Sequence, residues 1–143
     1  MIKVLRPVHE KFPITSGMSN NRTLTIDGKT LTKPHNGIDF GCPVDTPIHA
    51  VASGRIVRAG WENEHDPKQG YGMRIYQQIK VPEGTFFVIY AHLNKMLVGE
   101  GNEVEKGEVI AMSGHTGRSS GPHLHLGARH IDTSEYADMD FTA

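Results

Sequence analysis

The amino-acid sequence predicts an all-β fold, and three observations carry that prediction. Sixteen glycines and eight prolines in 143 residues, against 37% hydrophobic residues, suit short strands and tight turns better than a helical bundle. Residues 123–130 alternate: His123, His125, Gly127 and Arg129 fall on one face of an extended strand, and Leu124, Leu126 and Ala128 on the other. Residues 85–92, Thr-Phe-Phe-Val-Ile-Tyr-Ala-His, are apolar on both faces, as a central strand covered on two sides requires. At this length the chain reads as one domain, residues 1–143, with one core.

The first 34 residues hold no strong periodic element. Ile14-Thr15-Ser16-Gly17 reads as a short strand running into a polar loop at 18–22. Thr23-Leu24-Thr25-Ile26 alternates toward Asp27-Gly28, a common two-residue hairpin turn, with Lys29-Thr30-Leu31-Thr32 as the return strand. In the stretch Pro34-His35-Asn36-Gly37-Ile38-Asp39-Phe40-Gly41 the proline and both glycines argue against a helix. His35 and Asp39 are therefore not a helical pair. A bend at Gly37 lets both side chains turn toward one point, where imidazole and carboxylate suit Zn²⁺; a surface hydrogen bond between them is the alternative.

Residues 47–51 and 55–59 are short apolar runs joined by a turn at Ser53-Gly54, and residues 61–69 read as a long exposed loop. Gly70-Tyr71-Gly72 opens a strand in which Met73, Ile75 and Ile79 alternate with Arg74, Tyr76, Gln78 and Lys80. Pro82-Glu83-Gly84 is a turn into the apolar strand, which ends at His92 and is followed by a helical turn over residues 93–97. Strand ends are where a β scaffold presents functional groups, although a lone histidine there also reads as a structural residue. Residues 104–111 echo 44–50, each a tight polar turn followed by an apolar pair, which points to two similar β-hairpin units packed together. Residues 113–122 are too rich in glycine, serine and proline for a helix and form a shaped loop. Beyond residue 131 the chain is polar and acidic, a surface or frayed tail.

A net charge of −1 leaves no broad basic surface of the kind nucleic acid demands. The single cysteine, Cys42, excludes an internal disulfide and reads as a small buried residue. No apolar run approaches a membrane span, and the first residues lack a signal peptide's apolar segment. The chain therefore stays in its cell of origin, leaves by another route, or has lost a leader. Nine histidines favour metal or proton chemistry. Among them His9, His65 and His130 read as solvated and His49 as structural.

His35-x-x-x-Asp39, Tyr90-Ala91-His92-Leu93 and His123-Leu124-His125, in that order, resemble the M23 peptidases, the LytM/lysostaphin-type zinc endopeptidases of peptidoglycan. The resemblance takes in Ile14-Thr15-Ser16 with Arg22, residues 41–54, Gly70-Tyr71-Gly72, Val104-x-x-Gly107 and the Gly114-x-Thr116-Gly117-Arg118-Ser119-x-Gly121-Pro122 loop, so it covers residues 14–129. It implies a LytM-type fold, a folded antiparallel sheet of barrel-sandwich character with a groove across one face, walled by the loops at 61–69 and 115–121. It also implies that His35, Asp39 and His125 bind one Zn²⁺ with a position left open for water. His92 and His123 would flank that water, help deprotonate it and stabilise the oxyanion formed at a peptide carbonyl. Asn21, Arg22, Tyr71, His115, Thr116 and Ser119 are the candidate substrate contacts. No His-Glu-x-x-His motif is present, so a histidine must serve as base. Met73, His115 and Leu126-Gly127 depart from residues common in the family, none at a candidate ligand, and so bear on substrate preference.

The implied function is hydrolysis of peptide bonds in peptidoglycan stems or cross-bridges by a monomer acting on the cell wall, in the periplasm or outside the cell. A phage-encoded, virion-associated or excised enzyme fits the absence of a leader. Direct meso-diaminopimelate–D-alanine cross-links and glycine bridges are both within the family's range. Two other readings stand beside it. One is a catalytically inactive M23-like binding or structural module, a cell-division activator or phage tail component; such relatives lose metal ligands, and here all three are present. The other is a phosphocarrier of the sugar phosphotransferase type, for which Asp39 and a third groove histidine are superfluous.

Overall fold

A computed structural model of the chain describes residues 1–26, 29–63 and 65–142, and the backbone alone for residues 19–34. Among the described residues all regular structure is strand, as the composition predicts. In chain order the strands are β1 (Ile2–Lys3), β2 (Ile14–Ser16), β3 (Ser19–Ile26), β4 (Lys29–His35), β5 (Ile38–Phe40), β6 (Pro47–His49) and β7 (Gly54–Trp61). They continue as β8 (Met73–Val81), β9 (Gly84–Met96), β10 (Glu103–Val104), β11 (Val109–Ser113), β12 (Leu124–His130) and β13 (Met139–Asp140).

The main sheet runs β10-β7-β8-β9-β12-β5-β2, all antiparallel, and β11 joins both β9 and β6 off that path. Its axis is the thirteen-residue β9. The first part of β9 pairs with β8 and β12, and its last part pairs with β11, so one strand serves two parts of a folded sheet. The fold occurs at His92, whose φ of 63° is left-handed. The same residue lies in a register break against β8, between Ile75↔Tyr90 and Met73↔Leu93, an extra residue of the kind that bends a strand.

Core side chains project from the strands at period two: Ile75 and Ile79 from β8, Val88 and Tyr90 from β9, Leu124, Leu126 and Ala128 from β12. They meet Ile48, Ile110 and Ala111 from β6 and β11 in one cluster. Gln77, on the same face as Ile75 and Ile79, is fully buried yet satisfied: its Nε2 donates to Ala52 O at 2.7 Å and its Oε1 accepts from the Tyr90 hydroxyl at 2.6 Å. That hydroxyl in turn accepts from Val51 N at 3.0 Å, so no polar group of the trio is stranded. The two echoing segments, 44–50 and 104–111, do pack together: β6 and β11 pair antiparallel, with His49 opposite Val109.

Four expectations are corrected. Residues 19–22 are not a polar loop but the start of β3, which pairs with β4 from Ser19↔His35 to Ile26↔Lys29; the Asp27-Gly28 turn lies outside the described residues. Residues 93–96 are strand rather than a helical turn, because β11 offers them a ladder that a local turn cannot match. The tail is docked, not frayed: β13 pairs parallel with β1, Met139 is buried, and Phe141 meets Phe40 edge-on at 5.5 Å. His130 is half-buried against Phe86, with ring centroids 5.0 Å apart, and its Nδ1 accepts from Asp132 N at 3.2 Å. Cys42 is buried, and His49 donates through Nδ1 to Gly107 O at 2.9 Å, both structural as the sequence suggests.

Candidate metal centre and groove

The register of β5 against β12 sets the centre: His125 lies opposite Asp39, so both side chains leave the same face of the sheet. His35 ends β4, and the bend at Gly37 returns the chain into β5. Gly37 is required there by space, since a Cβ would sit 2.6 Å from His125 Cε1 and 2.6 Å from Leu126 O. The result is a tight cluster of three buried side chains. His35 Nε2 is 3.2 Å from Asp39 Oδ1 and 3.3 Å from His125 Nδ1, and His125 Nδ1 is 3.0 Å from Asp39 Oδ1.

These three atoms fit a cation. His35 Nδ1 donates to Gly17 O at 2.8 Å, which leaves Nε2 of the neutral ring as a bare lone pair. A lone pair aimed at a carboxylate and a second imidazole is repulsive unless a positive charge sits among them. Ligands about 2.0 Å from a tetrahedral zinc lie about 3.3 Å from one another, close to the separations found here. Two imidazoles and a carboxylate are also the donor types zinc accepts. His125 Nε2 is buried without a hydrogen-bond partner among the described residues, so Nδ1 is that ring's functional edge.

Two further histidines flank the cluster, each with its tautomer fixed from behind. His92 Nδ1 donates to Thr116 O at 2.6 Å, and His123 Nδ1 donates to Gly121 O at 2.9 Å. Both therefore keep Nε2 bare. Their ring centroids are 4.7 Å apart, and His123 Nε2 reaches to 3.8 Å from Asp39 Oδ1. Burial, aided by the charge of His123, pulls the His92 pKa down to about 4, so the ring is neutral at pH 7. Burial likewise lowers His125, opposed by the adjacent Asp39 carboxylate. Burial pushes the Asp39 carboxyl up, but its close contacts with the His125 and His35 imidazoles and a positive charge on His123 outweigh it and hold it well below the usual carboxylate range.

The loops at 62–72 and 115–122 are locked to each other over this centre. Gly117 N donates to Pro67 O at 2.7 Å and Arg118 N to Gly70 O at 2.8 Å. Thr116 Oγ1 donates to Leu93 O at 2.6 Å and accepts from Met73 N at 3.2 Å. Gly72 and Gly117 both have left-handed φ, 65° and 75°, and their backbones abut. Tyr71 is thereby laid parallel on His125, with centroids 5.5 Å apart and planes at 25°. Burial, then the neighbouring Tyr136 and Tyr76, push the Tyr71 hydroxyl above its usual range, so it stays protonated and able to donate.

The structure brings His35, Asp39, His92, His123, His125 and Tyr71 together. Of the other candidates, Thr116 and Ser119 brace the site from behind. Ser119 Oγ donates to Gly121 O at 2.6 Å and lies 3.1 Å from His123 Nδ1. His115 is exposed on its loop, with Nε2 donating to Ser119 O at 3.0 Å. Asn21 and Arg22 lie on β3, but their side chains are outside the described residues. Sequence reasoning missed Tyr136, which stands beside Tyr71 from a tail with no periodicity to mark it. It also missed the steric role of Gly37 against His125.

The peptidase family M23 profile matches residues 33–138 of the chain. Peptidoglycan DD-endopeptidase ShyA of Vibrio cholerae is 34% identical over 120 residues, which are 83% of this chain and 25% of that protein. Among solved structures, the catalytic domain of the antimicrobial peptidase lysostaphin from Staphylococcus simulans matches with a TM-score of 0.71 at 33% identity, covering 90% of this chain and 89% of that one. A zinc containing peptidase from Vibrio cholerae matches with a TM-score of 0.73 at 30% identity, covering 92% of this chain and 37% of that one. The chain spans about a quarter of the length of the curated relatives it matches. Profile, sequence identity and a shared strand architecture agree: the chain belongs to peptidase family M23.

Proposed function

We propose that this protein is a zinc-dependent endopeptidase that hydrolyses peptide bonds in bacterial peptidoglycan. The observation that carries the proposal is the convergence of three ligand-type atoms, His35 Nε2, Asp39 Oδ1 and His125 Nδ1, within 3.3 Å of one another beside two histidines held in one tautomer. Zinc held by these three atoms would supply a Lewis acid that polarises the scissile carbonyl and makes water a competent nucleophile at neutral pH. His92 and His123 supply the proton chemistry. Each has its Nδ1 proton committed to a backbone carbonyl, so Nε2 accepts a proton from the attacking water and returns it to the leaving amine. The low pKa of His92 keeps it in the accepting form across the neutral range. Asp39 holds its charge under all such conditions and offsets the imidazolium formed beside it. Tyr71, protonated and packed on His125, offers a hydroxyl donor to the bound substrate.

The named relatives extend the reading to substrate and place of action: ShyA is a peptidoglycan DD-endopeptidase, so the peptide stems of the cell wall are the proposed substrate, met in the periplasm or outside the cell. Every residue of the proposed machinery comes from one chain, so a monomer suffices. The test is loss of turbidity of purified peptidoglycan with wild type, His125→Ala and chelator-treated wild type, with fragment masses from the same digest. Clearance by wild type alone supports the proposal and the masses name the bond. Equal clearance in all three arms, or none in any, overturns it.

A further inference from the structure

The sheet face that carries the metal centre continues into a basic hollow. Cross-strand register sets its rows: His125 lies opposite Ala91, Gly127 opposite Ile89 and Arg129 opposite Phe87. On the other side of β9, Tyr76 lies opposite Ile89 and Gln78 opposite Phe87, and Arg58 lies opposite Tyr76 across β7 and β8. Because side chains alternate, His125, Gly127 and Arg129 leave one face, while Leu124, Leu126 and Ala128 fill the core on the other. Arg58, Arg74, Arg129, Tyr76, Gln78 and Phe87 line a concavity of about 320 Å³ on the groove face, within the size range of small-ligand sites.

Three guanidinium groups share this hollow, and its lining residues include no carboxylate. Arg58 and Arg129 make no side-chain hydrogen bond or ion pair among the described residues. Arg74 is 8% exposed; its Nη1 donates to Gly60 O at 2.9 Å, while its Nε is buried without a hydrogen-bond partner. Aromatic rings hold two of the groups in place: Arg74 lies 5.4 Å from the Tyr76 centroid and Arg129 5.8 Å from that of Phe87. Three like charges converging on a hollow, one with an unused buried N–H, form a site that lacks an anion.

We propose that this hollow is a carboxylate-binding subsite, holding an acidic group of a peptidoglycan stem while the scissile bond lies at the metal centre; the proposal rests on the peptidase reading above. Arg129 is four residues along β12 from His125, so the two are about 13 Å apart at about 3.3 Å per strand residue. An extended peptide covers that span with about four residues. A short acidic stem can therefore occupy both places at once.

Calorimetric binding to the intact, zinc-loaded chain tests this, with an uncross-linked stem peptide carrying free carboxylates, its fully amidated counterpart, and glycerol phosphate as probes. The free-carboxylate peptide binds about tenfold tighter than the amidated one to wild type, as one or two charge-assisted hydrogen bonds give, and the preference vanishes in Arg58→Gln/Arg129→Gln. Arg58→Lys/Arg129→Lys restores part of it. Arg58 is exposed, so Arg58→Gln alone serves if the double variant melts early. Equal affinity for the two peptides, or a preference that survives in the glutamine variants, overturns the subsite. Tighter binding of glycerol phosphate than of the free-carboxylate peptide overturns the carboxylate assignment in favour of a phosphate-bearing wall polymer. Turbidity clearance by wild type in parallel separates the two proposals: clearance without carboxylate preference removes the subsite alone, and absence of clearance removes the peptidase reading.

Discussion

Replacing Gly117 by alanine asks whether the two groove loops are locked through their backbones. Gly117 has φ of 75°, and a Cβ there would lie 2.5 Å from Gly70 O and 2.6 Å from the carbonyl carbon of Tyr71. Both are backbone atoms and cannot rotate away, so the loops must part. Parting lengthens Gly117 N→Pro67 O and Arg118 N→Gly70 O, now 2.7 and 2.8 Å. Backbone strain of about 1 kcal/mol and two weakened hydrogen bonds of about 1 kcal/mol each give a loss of about 3 kcal/mol. For a domain of this size that lowers the melting temperature by about 6–12 °C. Thr116 O, one residue earlier, holds His92 Nδ1 at 2.6 Å, so the same displacement moves the proposed base. Calorimetric melting and peptidoglycan clearance, run on metal-loaded protein, read the two effects separately. The variant is expected to keep its metal, melt earlier by that margin and lose at least about tenfold in clearance rate, since misplaced general-base groups cost that or more. A variant melting within about 2 °C of wild type with undiminished clearance would refute the loop contact.

Gly37→Ala drives a Cβ into the His125 ring and is expected to weaken metal binding at least about tenfold in chelator competition, the scale of losses from disturbed ligand support; Gly99→Ala, with open space around it, changes nothing. Removing the metal unties residue 35 from residue 125. With free zinc at about a thousand times its dissociation constant the stabilisation is about 4 kcal/mol, so chelation is expected to lower the melting temperature by about 8–16 °C. Acid destabilises the metal-free chain through His92. Its folded pKa of about 4 lies below the ordinary 6.5, so between those values the unfolded chain binds more protons than the folded one. Stability is therefore complete above about pH 6.5 and falls by up to about 3 kcal/mol as pH drops toward 4. Urea unfolding across that range is expected to show a shallower pH slope in His92→Gln than in wild type.

The placement of two of the centre's segments was legible from local pattern, although His35 with Asp39, and His92 alone, each kept a structural alternative. His123 and His125 declare a shared face by strict alternation, and Gly37 declares a bend between His35 and Asp39. What alternation cannot show is a strand that changes course: the apolar run ending at His92 looked like a strand end, whereas a single left-handed residue lets it continue to pair with β11. The docking of the tail is hidden from the sequence for a related reason. Met139 and Phe141 dock by two-residue contacts too short to leave a period, yet they place Tyr136 beside Tyr71. The loop marks Thr116 and Ser119 as candidate substrate contacts, and no local pattern signals that their hydroxyls donate to the Leu93 and Gly121 carbonyls. Gln77 breaks the apolar face of β8, and nothing local signals the Tyr90 and Ala52 partners that make its burial tolerable. The arginine hollow is equally invisible in sequence, because Arg58, Arg74 and Arg129 come from three strands and meet only through register.

The most direct test of the central claim is a titration of Zn²⁺ into chelator-stripped protein with peptidoglycan clearance followed at each step. Clearance is expected to rise linearly and reach its plateau at one equivalent of zinc, while Asp39→Asn and His35→Ala stay inactive throughout. Clearance by the stripped protein, a plateau at two equivalents, or full activity in either variant would contradict a single catalytic zinc held by His35, Asp39 and His125.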